Sequence, residues 1–166
     1  MTRSSTTAGA FQEAQLPVQA KLAAAWTSFM FLYIYVDYFQ LYKPGFVDDI
    51  LAGRVHEFDI SQTFVVIGVT IVAIPSLMIL LSATLPARVN RATNLVVATL
   101  YIPVSMYNAA GESWTYFYFY GLSIGLEVLL RAFILRSAWT WPRRTASPAT
   151  RSTSLNTEPH RTPQQA

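Results

Sequence analysis

The feature that most constrains this chain is the run FVVIGVTIVAIPSLMILL, Phe64 to Leu81, which is uncharged and has no polar face. A helix of this composition has no side to turn toward water, which excludes a soluble helical bundle. No charge occurs anywhere between Asp59 and Arg88. That stretch exceeds the roughly 20 residues needed to cross a hydrocarbon core about 30 Å thick. The run therefore predicts a helix inside a membrane.

Composition extends this prediction to the rest of the chain. Only 13% of the residues are charged and 52% are hydrophobic, whereas soluble domains carry about 25% charged residues. Three more long apolar runs are present, at 22–42, 92–111 and 114–135. The only charges inside them are Asp37, Glu127 and Arg131. We predict an all-α integral membrane four-helix bundle, with helices at about 21–42, 60–85, 91–109 and 114–138.

The placement of basic residues predicts the topology, because lysine and arginine mark the cytoplasmic side of a membrane protein. The N-terminal segment, the second loop PARVNR and the tail each carry more basic than acidic residues. The first loop carries more acids than bases, and the third loop carries Glu112 alone. We therefore expect a multi-pass protein of the plasma (cytoplasmic) membrane with N- and C-termini cytoplasmic. Its expected partner is the lipid bilayer.

The two ends of the chain are too polar to build a core, so residues 1–20 and 142–166 are predicted to be disordered. The N-terminal segment lacks the pattern of a cleavable signal peptide. The chain contains no cysteine, which excludes disulfides and thiolate metal sites. No nucleic-acid-binding module is visible, so no nucleic-acid partner is expected.

The first loop is long enough for structure of its own. Residues 45–53, GFVDDILAG, predict a short helix on the membrane interface, with Gly53 as its stop. Asp59 and Gln62 have the spacing of a capping box that opens the second long helix. The loop also holds His56 among several acids, but without the spacing of a histidine-based metal site. We therefore predict no metal.

Three of the four helices carry a polar stripe when side chains are placed at about 100° per residue. The stripes contain Tyr33, Asp37 and Gln40 on the first helix, Asn94, Tyr101, Ser105 and Asn108 on the third, and Tyr120, Glu127 and Arg131 on the fourth. Unsatisfied polar groups in hydrocarbon cost several kcal/mol each, so the stripes should face one another. These residues are the candidate lining of a polar interior or ligand site that opens toward the outside.

The acids of these stripes have two interpretations. Glu127 precedes Arg131 by four residues, the favourable order for a helical ion pair. In the structural interpretation, this pair forms and Asp37 bonds to Asn108 or to a tyrosine. In the functional one, Asp37 and Glu127 are protonatable stations on a path for a small polar ligand or a proton, because intramembrane acids commonly mark such paths. Both interpretations stay open.

Two backbone features concern helix packing. Pro75 removes the hydrogen bond to the carbonyl of Ile71, and we expect a static kink in which hydroxyls such as that of Ser76 compensate. Gly121 and Gly125 form a GxxxG pair on a face far from Glu127. We expect that face to pack within the chain; the alternative is a homodimer or a partner membrane subunit.

The order of several short motifs resembles a known family. The motifs are Asp37, Pro44-Gly45-Phe46, Ile74-Pro75, LPARVNRATN at 85–94, Glu127 and WTW at 139–141. Together they are similar to a family of small bacterial membrane proteins with four helices, catalogued as a domain of unknown function. The resemblance covers residues 21–142 and departs at Ala92, where tryptophan is expected. It implies the fold and the membrane, but no activity.

No enzyme signature is present, neither a nucleophile elbow nor an HExxH, Walker or dinucleotide motif. We assign no catalytic residue and no cofactor. The first functional hypothesis is a protein that binds or passes a small polar ligand or a proton. The second is a non-catalytic structural or accessory subunit, and the third is a membrane enzyme acting on a lipid or a quinone.

Overall fold

The computed structural model describes residues 16–109 and 114–142. Along the chain, its elements are α1 (Val18–Gln40), α2 (Phe46–Leu51), β1 (Arg54–Val55), β2 (Phe58–Asp59), α3 (Gln62–Thr84), α4 (Ala87–Ala109), a 3-10 turn (Trp114–Tyr116) and α5 (Phe117–Trp139). The segments predicted to be disordered fall outside the description, except for residues 16–20 and Pro142. Of these, Val18 to Ala20 already belong to α1, because the apolar pattern of this helix begins at Val18.

The long helices pack side by side. Helix α1 contacts α3 and α5, while α4 contacts α5 and, less extensively, α3. The C-terminal ends of α1 and α4 meet the N-terminal ends of α3 and α5, and this end of the molecule, which also carries α2 and the strands, is here called the loop end. At the opposite, terminal end, Nε of Arg91 donates to the carbonyl of Ala138 at 3.1 Å. Successive long helices therefore run up and down.

Three of these helices have the length and composition to cross a membrane: α1, α3 and the segment Trp114–Trp139. Their outward surfaces are apolar; on α3, for example, Val65, Val69 and Leu80 are exposed. Helix α4 is less apolar because asparagines occupy its inner face, where Asn90 and Asn94 are fully buried. Apolar side chains outside and polar ones inside are the arrangement that suits lipid as a solvent.

The terminal half of the molecule contains the packed core. Helix α1 supplies Leu22, Trp26 and Phe29, which are all fully buried. They pack against Met78 of α3 and Ile134 of α5, among others. The ring of Trp26 meets that of Phe29 edge to face, with 5.7 Å between centroids. Aromatic pairs of this kind stabilise a core beyond their buried area.

The structure corrects the predicted start of α3. Its N-cap is Ser61, whose Oγ accepts a hydrogen bond from the backbone N–H of Phe64 at 3.2 Å. The expected capping box at Asp59 is wrong, because Asp59 pairs with Arg54 in a short antiparallel hairpin. Serine accepts this bond as readily as aspartate and lies closer to the first turn.

Two other boundaries differ from the predicted ones. Helix α4 begins at Ala87 rather than near 91, because Pro86 precedes its first turn and its carbonyl accepts from the N–H of Asn90 at 2.9 Å. Helix α2 is shorter than the predicted 45–53, since Gly45 and Gly53 flank it, both with φ of 84°. Glycine adopts this left-handed conformation without steric cost.

The kink residue Pro75 has a partner from another helix. Proline lacks an N–H, so the carbonyl of Ile71 loses its helical donor. The hydroxyl of Tyr101 on α4 donates to that carbonyl instead. The expected compensation by Ser76 does not occur at this site, because its hydroxyl bonds to the carbonyl of Val72 at 2.9 Å. A side chain of α4 therefore closes the gap that proline opens in α3.

We expect Tyr101→Phe to lower the free energy of unfolding by about 1–2 kcal/mol, because it orphans the partly buried carbonyl of Ile71. In a Pro75→Ala background the loss should shrink to less than half, since the new N–H at position 75 restores the helical bond. Unfolding titrations of the double-mutant cycle in mild detergent measure this coupling. Tyr107→Phe, an exposed tyrosine on the same helix, is the control. Equal losses in both backgrounds would show that the hydroxyl of Tyr101 does not replace the hydrogen bond that Pro75 removes.

Candidate functional site

A cavity of about 790 Å³ lies at the loop end, between the four long helices and below the hairpin. Its volume falls in the range of roughly 300–1,000 Å³ that is usual for small-molecule sites. We call it the loop-end cavity. Most of the predicted polar residues line it: Tyr33, Asp37, Gln40, Ser105, Asn108, Tyr120 and Glu127. Helical periodicity thus brings residues from three separate stripes to one space.

The inner end of the cavity is formed by a buried ion pair. Glu127 and Arg131 are 6% and 5% exposed, and Oε2 of Glu127 lies 3.5 Å from Nη2 of Arg131. Ser105 donates to the same oxygen at 2.7 Å. Nη1 of Arg131 donates to the carbonyl of Tyr101 at 2.7 Å. The glutamate faces the cavity while the arginine lies beyond it, next to the packed core.

The predicted partner of Asp37 is absent. Asp37 makes no hydrogen bond or ion pair within 16–109 and 114–142, although it lines the cavity. Asn108 donates instead to the hydroxyl of Tyr33 at 3.1 Å. The side of α1 that faces the cavity therefore presents a carboxylate that the described part of the chain does not satisfy.

Tyr120 is a second unsatisfied group at this cavity. The residue is 8% exposed, and its hydroxyl is the one buried side-chain polar atom without a hydrogen-bond partner among the described residues. Buried hydroxyls are nearly always bonded, and leaving one unpaired costs about 1–3 kcal/mol. A ligand with a polar group would supply the missing bond.

The hairpin covers the cavity and was not predicted. Phe46, His56, Glu57 and Phe58 line its outer part. The turn residue His56 has φ of 53°, and its ring lies 5.7 Å from that of Phe46. The sequence signal for a hairpin is weak here, because its strands have two residues each and no glycine occupies the turn. The apolar residues that flank His56 and Glu57 are the only available hint.

A neighbouring groove of about 440 Å³, here called the side groove, runs between α1 and α5 and is lined mainly by apolar and aromatic side chains. It shares Val36 and Ser123 with the loop-end cavity. At its outer end, Nζ of Lys43 lies 4.2 Å from the ring centroid of Tyr120 and 5.3 Å from that of Tyr116. The ammonium of Lys43 therefore sits against aromatic faces in the side groove.

Asn94 and Tyr101, which we predicted as lining, lie elsewhere, as does Arg131. Asn94 is fully buried in the terminal half, where its Oδ1 accepts from Nε1 of Trp26 at 2.7 Å and from Oγ of Ser82 at 3.2 Å. Its side-chain amide donates to Asn90. These bonds join α1, α3 and α4. The polar stripe of α4 thus divides into a structural part and a part that lines the cavity.

The glycine pair does not pack within the described chain, which corrects our expectation. Gly121 and Gly125 are exposed, and a Cβ placed on either meets no atom within 4 Å. The reason is geometric: α5 turns Ser123, Glu127 and Arg131 inward, and the glycines lie on its opposite side. Their face is open to the surroundings of the molecule.

These observations define a mostly helical protein, in which three helices are apolar and long enough to span a bilayer and a polar cavity lies at one end. The chain belongs to the family of unknown function DUF6326, whose model matches residues 12–147. This confirms the resemblance to a family of unknown function. No curated protein and no solved structure matches the chain.

Proposed function

We propose that this protein spans the plasma membrane with all four long helices, keeps both termini in the cytoplasm, and binds a small polar ligand in the loop-end cavity. The observation that carries the proposal is the cavity itself, which has polar walls and a volume suited to a small molecule. In the proposed topology the cavity opens to the outside. A ligand would reach it without crossing the hydrocarbon core.

Binding is favoured over passage by what lies beyond Glu127. The carboxylate is held by Ser105 and Arg131, and the terminal half is filled by the core around Trp26 and Phe29. A ligand path through the molecule would have to break the ion pair and open this core. In this proposal Asp37 contacts the ligand directly, and Glu127 closes the inner end.

The proposal that α4 crosses the membrane is supported by the length of this helix and by its hydrogen-bond partners. Its 23 residues correspond to roughly 35 Å at 1.5 Å per residue. Two asparagines in its interior turns are hydrogen-bonded to another helix, since Asn94 bonds to Trp26 and Asn108 bonds to Tyr33. A helix whose polar groups are met inside a bundle is tolerated in lipid.

Cysteine labelling tests the cavity, because the natural chain has no cysteine. In intact cells, an externally added, membrane-impermeant thiol reagent should label Ser123→Cys, which lies in the cavity wall. Ser82→Cys, equally conservative but fully buried in the terminal half, should stay unlabelled. Both substitutions exchange one atom, so the fold is expected to persist. Failure to label position 123 while its protein is folded and inserted would overturn the proposal.

A pair of glycine variants provides the matched control. Gly68 lines the cavity and Gly121 lies on the outer face of α5, and both have open space where a Cβ would be added. Gly68→Trp should slow the labelling of Ser123→Cys several-fold by filling the cavity, whereas Gly121→Trp should not. Both changes replace glycine within a helix, so neither should lower helix stability.

One observation fits the alternative, a non-catalytic structural or accessory membrane subunit. Gly121 and Gly125 form an exposed face on which a second helix could approach closely. If the protein is such a subunit, Gly121→Trp should reduce the mass of the complex that is extracted in mild detergent. Gly68→Trp should leave that mass unchanged. The same two variants thus separate a ligand-binding role from a subunit role.

A further inference from the structure

The charged side chains around the loop-end cavity have a marked imbalance. Three carboxylates line it, from Asp37, Glu57 and Glu127, and the lining contains no lysine or arginine. Glu127 is compensated by Arg131 beyond the inner end. Asp37 and Glu57 make no ion pair within the described ranges. Two carboxylates that face one open cavity, Asp37 in its wall and Glu57 at its exposed outer part, concentrate a negative field there.

The lysine and the arginine of the first loop lie outside the cavity lining, and the one imidazole within it, from His56, packs on the ring of Phe46. Lys43 lies in the side groove, where its ammonium packs on the ring of Tyr120 and bonds to Oε1 of Gln40 at 3.3 Å. Arg54 belongs to the hairpin, but it is not part of the lining. A positively charged ligand would therefore be the group that neutralises the cavity from within.

The remaining lining favours an organic cation over a metal ion. Six phenylalanine and tyrosine rings border the cavity: Tyr33, Phe46, Phe58, Phe64, Tyr107 and Tyr120. Aromatic faces attract ammonium groups and also bury apolar surface. A volume of about 790 Å³ far exceeds that of a bare ion. The unpartnered, buried hydroxyl of Tyr120 independently indicates a ligand that carries a polar group.

We infer that the ligand is a small organic cation, an amine or a quaternary ammonium with an apolar body, held between Asp37, Glu57 and the aromatic walls. This inference rests on the proposed ligand-binding function and specifies its substrate class. The ammonium would lie near the two carboxylates, and the apolar part would fill the space between the rings.

Two thiol reagents of similar size and opposite charge test the inference on the Ser123→Cys protein. Trimethylammonium-ethyl methanethiosulfonate should react at least about tenfold faster than the sulfonatoethyl reagent, after each rate is divided by that for free 2-mercaptoethanol. Asp37→Asn and Glu57→Gln should each reduce this ratio several-fold. Asp48→Asn is the matched control, because Asp48 is an exposed acid of α2 that does not line the cavity. Benzyltrimethylammonium should slow the reaction, and benzenesulfonate should not.

The outcomes separate this inference from the function on which it rests. If neither reagent reacts, the cavity is closed to solutes and the proposed function fails. If both react with equal normalised rates, the cavity is accessible but the cation preference is refuted. If Asp48→Asn lowers the ratio as much as Asp37→Asn, the preference comes from the general surface field, and the inference is also overturned.

Discussion

Arg131→Met is expected to lower the free energy of unfolding by roughly 3–5 kcal/mol, because it leaves the buried carboxylate of Glu127 without its cation. Methionine keeps most of the aliphatic stem, so the loss reports charge and hydrogen bonding more than volume. The substitution also removes the donor to the carbonyl of Tyr101, a 2.7 Å bond. The change in unfolding free energy is measured by titrating the protein, purified in mild-detergent micelles, with a denaturing detergent.

The double variant Glu127→Gln/Arg131→Met is expected to recover most of that loss, since it removes both charges together. The amide of glutamine can still accept the hydrogen bond that Ser105 donates to Oε2 of Glu127. Arg136→Met, an exposed arginine further along α5, should change stability by less than about 0.5 kcal/mol. A double variant as unstable as Arg131→Met alone would show that the pair is not what stabilises this region.

The parts of the structure that follow from helical periodicity were predictable. The spacing of Tyr33, Asp37 and Gln40 puts them on one side of α1, and the high cost of polar groups in lipid directs that side inward. The same reasoning brings Ser105 and Glu127 together, and they form a 2.7 Å bond. The acid-first spacing of Glu127 and Arg131 predicted their ion pair for the same local reason.

The parts that depend on how helices are offset along their axes were not predictable. A stripe on α4 indicates which side faces inward, but it does not say which residue meets which partner. Asn108 therefore pairs with Tyr33 rather than with Asp37, and Asn94 belongs to the core. The hairpin that covers the cavity was missed for another reason: its two-residue strands carry too little pattern to be recognised.

The polar interior has a half whose polar groups satisfy one another and a half that contains unsatisfied groups. In the terminal half, Asn90, Asn94 and Ser82 satisfy one another and are fully buried. At the loop end, Asp37 and the hydroxyl of Tyr120 have no partner in the described chain. Proteins leave such groups unsatisfied mainly where a site requires them. This contrast supports a structural role for the inner half and a binding role for the outer half.

Asn94→Leu is expected to lower the free energy of unfolding by roughly 4 kcal/mol. Leucine has the same branched shape but cannot accept from Nε1 of Trp26 or from the hydroxyl of Ser82, bonds of 2.7 and 3.2 Å. It also withdraws the donor to Oδ1 of Asn90 at 2.7 Å. Each buried group left unpaired costs about 1–3 kcal/mol, and three such groups are orphaned here.

The same substitution further along α4 is the matched control. Asn108 is exposed to the loop-end cavity and makes one 3.1 Å bond, to Tyr33. Asn108→Leu should therefore cost less than about 1 kcal/mol, because solvent can replace that bond. Unfolding titrations of both variants in the same detergent compare them directly.

Similar losses would mean that the outer half contributes to stability as the inner half does, and the division of the interior would be wrong. A large loss for Asn94→Leu alone would place the polar support of the fold in the terminal half, which leaves the loop end free to hold a ligand.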